Sequence, residues 1–331
     1  MRTAVALPSA ARYNEAALAG ENHEMRTHST SLSAACSPRG RYLPSNHPSS
    51  ITNSKAFTLI ELLVVIAILA LLMSILMPML QRARKHAKAV ACQGNLRQWS
   101  ILYATYAAEN DGRLPSWRGG PTDPGGPWWG WWGWGTTRER RESPWYAATK
   151  DIMLCPMAAK PANPTDEGSP VGGTFLAWGF GAGPESWWYG HGSYGVNEWT
   201  SWWYWGDEDT LYHKLSWLTT DVKDAETVPV LLDSAWCWGG WYGANGSSVP
   251  PPEFDAVPTM THTPFDNPFC INRHDGYVNG VFLDWSVRKV GLKELWAIRW
   301  HKDYVTRGPW TIAGGAKPED WPQWMRRFRD Y

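Results

Sequence analysis

Apolar residues run almost without interruption from Leu62 to Met77, sixteen positions of which only Ser74 is polar. With the flanks 57–60 and 78–80 the segment reaches about 24 residues, and at about 1.5 Å of rise per residue it can cross a hydrocarbon core of about 30 Å. The core helix of a soluble protein keeps a polar side; this segment is apolar all round, which predicts a membrane helix. A cleaved secretory signal would be shorter and would close on a small-residue site, whereas here the pattern continues into Gln81, Arg82, Arg84 and Lys85.

Beyond the span the period changes. Ala83, Ala87, Val90, Ala91 and Gly94, then Trp99, Leu102, Tyr103 and Tyr106, recur at spacings of three and four, which predicts that the helix continues with one packing face. Asn110-Asp111-Gly112 followed by Pro115 is a stop signal. The predicted helix runs from Phe57 to Glu109, on the order of 80 Å, with residues 57–80 in the membrane and 81–110 as a soluble continuation.

From 111 to 331 the pattern is one of turns and short apolar runs. Val228 to Asp233 and Gly280 to Val287 read as strands. The predicted architecture is α+β: a long N-terminal helix packed on a small antiparallel sheet, with long loops rich in Trp, Gly and Pro. Residues 1–56 show no hydrophobic periodicity and are rich in Ser, Ala, Asn and Pro, which predicts a disordered leader. From Met25 onward that leader carries Arg26, Arg39, Arg41 and Lys55 and no acidic residue, whereas Glu15, Glu21 and Glu24 precede it, so Met25 is a plausible start.

Composition narrows the function. The 331 residues hold 31 basic and 31 acidic side chains, so no global field draws the chain to nucleic acid. Its 25 Trp, 31 Gly and 25 Pro describe a loop-rich domain in which rigid aromatics stand in for aliphatic core. Basic residues flank both ends of the span, so charge alone leaves its orientation open. Four cysteines lie beyond the leader, Cys92, Cys155, Cys237 and Cys270, and an even count favours an exported, oxidising location for the C-terminal part.

Glu61 stands among Ile60, Leu62 and Leu63, where an ionised carboxylate is costly in lipid and calls for a partner. Ala56-Phe57-Thr58-Leu59-Ile60-Glu61-Leu62 resembles the processing and methylation motif of type IV prepilins and type II secretion pseudopilins. The resemblance implies that a prepilin peptidase/methyltransferase removes residues 1–56 as a leader, cutting between Ala56 and Phe57, and methylates the new amine of Phe57. Ala56 stands where Gly is usual. The resemblance further implies assembly with other pilin-like subunits through helix packing, the Phe57 amine of one subunit neutralising Glu61 of the next. Pro78 also fits that family, whose N-terminal helix carries a proline at this distance from the processed end. On this reading the chain sits in the lipid of the inner (cytoplasmic) membrane as a single-pass protein, its N-terminus cytoplasmic and its C-terminal domain periplasmic or extracellular.

A second resemblance covers the soluble part. Cys92-Gln93-Gly94-Asn95-Leu96-Arg97-Gln98, Leu154-Cys155-Pro156, Ser193 to Asn197, and His274 with Asp284 resemble the large planctomycete-type prepilin-like proteins that carry a His-x9-Asp-Gly segment. Trp285 occupies the place where Gly is usual. His274, Asp275, Asp284, His301 and Asp303 could supply ligands, but their spacing matches no metal motif, and His274 and Asp284 read instead as structural groups fixing a turn against a sheet. Some major pseudopilins hold calcium in a C-terminal loop, and Gly206-Asp207-Glu208-Asp209 offers oxygens for it without the EF-hand spacing. No other cofactor is implied.

A Cys92–Cys155 bridge would tie the first loop region to the helix, at about 3 to 5 kcal/mol in the chain-entropy model. Cys237 and Cys270 would form a second; buried thiols are the other reading. Trp128, Trp129, Trp131, Trp132 and Trp134, separated only by glycines, raise an alternative function: a membrane-tethered protein presenting an aromatic platform to a carbohydrate or protein. Buried core is the blander reading of the same indoles. No Ser-His-Asp signature, phosphate loop, redox Cys-x-x-C pair or zinc spacing is present, which predicts that the chain is not an enzyme.

Overall fold

The computed structural model describes residues 58–115, 149, 151–163, 171–180, 190–200, 211–240, 246–255 and 268–331. Residues 59–331 form one compact unit. Its organising element is α1 (Leu59–Glu109), a 51-residue helix about 77 Å long. It runs unbroken through Pro78. Ser74, the one polar residue of the apolar run, donates its hydroxyl to Leu71 O at 2.7 Å.

The two halves of α1 differ in what covers them. Every residue from Leu59 to Leu80 is exposed, and among the described residues α1 is the one helix long and apolar enough to cross a membrane. The second half buries Ala89, Cys92, Leu96, Trp99, Ser100, Tyr103, Tyr106 and Ala107, a face with the three-four spacing of a helix. Trp99, Tyr103 and Tyr106 lie on the stripe expected from the sequence, and the part before them is corrected. Ala83, Ala87 and Ala91 are exposed, and Val90 is 67 % exposed. The real seam lies about one position round and includes Cys92 and Leu96, because a free thiol packs as a small apolar group.

The helix ends where the stop signal stands. Asp111 and Gly112 take left-handed backbone angles, φ 54° and 74°, and Gly112 N–H closes on Ala107 O at 2.8 Å. Glycine meets that conformation without strain; an aspartate tolerates it better than most residues.

Among the described residues eight short strands follow, with a one-turn helix α2 (Leu211–Leu215) between them. β1 (Pro161–Asn163), β2 (Ala177–Phe180) and β3 (Gly190–Gly192) form a three-stranded sheet. β4 (Tyr194–Asn197), β5 (Pro229–Asp233), β6 (Trp238–Gly239), β7 (Tyr277–Phe282) and β8 (Val287–Gly291) form a five-stranded sheet in the order β6-β4-β5-β7-β8. The fold is α+β, but both sheets are mixed rather than antiparallel: β1 runs parallel to β2, and β4 to β6.

The expected strand over 280–287 is a hairpin. β7 ends at Phe282, and Leu283 to Ser286 turn the chain into β8, which pairs Val281 with Val287 and Tyr277 with Gly291. The turn is held by Asp284, whose Oδ1 accepts the N–H of Ser286 at 2.9 Å and its hydroxyl at 2.7 Å. Trp285 follows at φ 66°, the left-handed region that favours glycine, and it is held there by Ser100, whose hydroxyl donates to Trp285 O at 2.6 Å.

α1 packs its buried face on β7 and β8. β5 is buried at every position, as a central strand covered on both sides must be. Indoles complete the core: Trp99, Trp178, Trp199, Trp296 and Trp300 are among its largest fully buried side chains. Trp99 N–H to Ile152 O at 3.1 Å and Trp296 N–H to Val249 O at 2.8 Å tie down loops that have no ladder of their own, and Trp178 N–H to Tyr194 O at 2.9 Å links β2 to the start of β4.

Candidate functional site

Among the described residues two places carry chemistry. The first is the front of α1. Ala56 and Phe57 lie outside the described residues; the helix starts at Leu59, and Glu61 sits in its first turn. There its charge favours the positive end of the helix dipole. Glu61 is on the surface of the chain, flanked by Ile60, Leu62 and Leu63, which are more than half exposed. Pro78 lies near the far end of the exposed segment, just before the basic residues Arg82, Arg84 and Lys85.

The second place is buried. Cys92 on α1, Cys155 in the loop after it, Asp233 at the end of β5 and His274 just before β7 converge, each offering one sulfur, nitrogen or oxygen atom, with all four atoms within 4.8 Å of one another. Cys92 Sγ lies 3.4 Å from Asp233 Oδ1, Cys155 Sγ 3.5 Å from His274 Nε2, and His274 Nε2 3.1 Å from Asp233 Oδ2. Tyr194 donates its hydroxyl to Cys92 Sγ at 3.4 Å, and Asn279 its backbone N–H to Asp233 Oδ2 at 2.8 Å. Arg273 closes the group: its Nη1 is 3.3 Å from Asp233 Oδ1, and both side chains are wholly buried. The rest of the guanidinium is spent on backbone carbonyls, those of Thr174, Gly173, Ser234 and Ser193.

The electrostatics follow from this packing. Burial would raise the Asp233 carboxyl, but the charges of His274 and Arg273 and the bonds from His274 and Asn279 outweigh it and hold the group at about 2. Burial would likewise lower His274, yet Asp233 raises it to about 9. Burial and the neighbouring Cys155 and Asp233 push the Cys92 thiol up; Cys155 goes down despite its burial, through bonds with Cys92 and His274 and the charge of Arg273. One thiolate is therefore favoured at Cys155 beside a thiol at Cys92.

All four described cysteines are free thiols, so neither expected bridge is formed. Cys92 and Cys155 do meet, but each sulfur is engaged by Asp233, His274 or Tyr194. Cys237 and Cys270 are fully buried, and desolvation pushes both thiols well up, which disfavours the thiolate that oxidation requires. His274 and Asp284, paired in the sequence reading, go to different tasks: His274 joins the buried cluster, whereas Asp284 is exposed and fixes the β7–β8 turn. Asp275 points away at φ 59°, 4.0 Å from Arg327.

The residues that sequence reasoning missed are Asp233 and Arg273. Asp233 was the last residue of a predicted strand, and a carboxylate ending an otherwise apolar run was its one signal. The glycine-separated indoles Trp128, Trp129, Trp131, Trp132 and Trp134, and the acidic run 206–209, lie outside the described residues.

Comparison with known proteins bears on the first place. A family model described as the prokaryotic N-terminal methylation motif matches residues 51–77. The chain carries a prepilin-type N-terminal methylation motif. It is the motif that a prepilin peptidase processes, and it covers the front and the apolar half of α1, so the helix that the structure leaves exposed is the one the motif identifies as a membrane anchor. No curated protein and no solved structure matches the chain.

Proposed function

We propose that this chain is a pseudopilin-type subunit of a type II secretion or type IV pilus-like assembly. Its leader is cut between Ala56 and Phe57, Phe57 is N-methylated, α1 anchors the mature chain in the inner membrane with its N-terminus cytoplasmic, and the domain from 111 onward is exported. The observation that carries this reading is the coincidence of the methylation motif at 51–77 with a helix whose apolar half is exposed along its whole length. Such a half-helix can be covered by lipid or by the same half of neighbouring subunits.

Glu61 is the residue through which the subunits find one another. An ionised carboxylate among lipid or packed helices is stabilised when a cation is brought to it, and the processed amine of a neighbouring Phe57 is such a cation. The chain acts by assembly and not as an enzyme. Its partners are the prepilin peptidase, other pilin-like subunits and membrane lipid.

The test uses the full chain in a host with the assembly machinery. Glu61→Leu is expected to leave the protein in the membrane fraction and to abolish subunit-to-subunit crosslinks through α1. Crosslinks at the unchanged yield in that variant would contradict the reading.

A further inference from the structure

We infer that Cys92, Cys155, Asp233 and His274 form a structural zinc site that staples the soluble half of α1 to the five-stranded sheet. Two sulfurs, an imidazole nitrogen and a carboxylate oxygen are the donor set of a borderline-soft divalent ion, and two thiol ligands argue against calcium or magnesium.

The distances fit. Zinc bonds of about 2.0 to 2.3 Å at the tetrahedral angle set ligand-to-ligand edges of about 3.3 to 3.8 Å. With Asp233 Oδ2 as the oxygen ligand, the structure has a Cys92 sulfur–oxygen edge of 3.7 Å, a Cys155 sulfur–nitrogen edge of 3.5 Å and a nitrogen–oxygen edge of 3.1 Å. These three edges lie within a few tenths of an ångström of the tetrahedral values, and the remaining edges, none longer than 4.8 Å, have to close by about 1 Å at most for an ion to be seated.

Charge fits as well. Two thiolates, a carboxylate and a dication leave one surplus negative charge, and Arg273 supplies the compensating positive charge from a fully buried position. Asn279 N–H on Asp233 and the Tyr194 hydroxyl on Cys92 are the supporting bonds that orient ligands in metal sites. Access is provided by a cavity of about 570 Å³ that reaches Arg273 and His274 from the surface near Arg82 and Lys85. Four protein ligands fill a tetrahedral shell, so the site is closed and structural rather than catalytic. Binding releases two protons to solvent, one from the Cys92 thiol and one from the Cys155–His274 pair, and forms the metal–sulfur, metal–nitrogen and metal–oxygen bonds with no change of oxidation state.

The test is made on the full-length chain in detergent, purified without added metal and then reduced, stripped with chelator and reloaded with zinc or cobalt. The expected result is a single zinc per chain by elemental mass spectrometry, and for cobalt the intense visible bands of a tetrahedral site with thiolate-to-metal charge transfer. Cys155→Ser and His274→Ala are each expected to weaken zinc binding at least tenfold, whereas Cys237→Ala keeps the metal. A wild-type chain that takes up no zinc above background, weak octahedral cobalt bands, or a chain that leaves the membrane with Cys92 and Cys155 joined as a disulfide would each overturn the assignment. The cobalt spectrum is read on the unchanged chain, so failure of a variant to fold leaves the test intact.

Discussion

The two halves of α1 share one backbone geometry and are opposite in everything else. From Leu59 to Leu80 every residue is exposed; from Ala89 to Ala107 one stripe is buried against β7 and β8 and much of the remainder is exposed. The difference lies in the solvent each half is built for. A helix apolar all round satisfies its backbone internally and needs lipid or another such helix, whereas a helix with a single apolar face needs a sheet. Cys92 belongs to the second half, close to where the packed seam begins, and joins the buried cluster that reaches β5 and the start of β7.

Substitutions in the two halves should therefore fail in different assays. The largest effect is expected from Asp233→Ala, which leaves the buried Arg273 guanidinium without its carboxylate: about 3 to 5 kcal/mol of domain stability, measured by denaturant unfolding of the full chain in detergent. Leu96→Ala comes next, at about 2 to 5 kcal/mol for a fully buried side chain, while Val90→Ala, only six residues away but exposed, should stay within about 0.5 kcal/mol. Equal losses at Leu96 and Val90 would refute the seam.

In the membrane half the readout changes. Ile66→Lys is expected to cost insertion about 2.5 to 3.5 kcal/mol, seen as protein lost from the membrane pellet after alkaline extraction, with the unfolding curve of the soluble domain unmoved. The smallest effect is expected at the β7–β8 turn. Trp285→Gly relieves a left-handed backbone worth about 1 to 2 kcal/mol and gives up ring packing near Tyr103, 6.4 Å between centroids, so unfolding should shift by less than about 2 kcal/mol in either direction.

What could be read from the chain beforehand divides along the same line. The membrane half was legible because sixteen near-continuous apolar positions have one physical meaning, and the Asn110-Asp111-Gly112 stop was legible because only a few residue types adopt its backbone. The packing stripe was read rightly at Trp99, Tyr103 and Tyr106 and misplaced by about one position before them, because alanines and Val90 look apolar in a sequence whether or not a sheet covers them. The hairpin over 277–291 was hidden because Trp285 stands at a left-handed position where glycine would have announced the turn. The buried cluster was invisible for a different reason: its contacts join residues 141 and 119 positions apart, so no local spacing marks them.

The proposed function requires first that the leader is removed in front of α1 and the new amine of Phe57 methylated. Intact mass and N-terminal peptide analysis of the protein from membranes of its own host tests this most directly. The account expects a chain beginning at Phe57 with a methylated amine; an uncut leader, or a cut within or beyond the apolar segment, would contradict it.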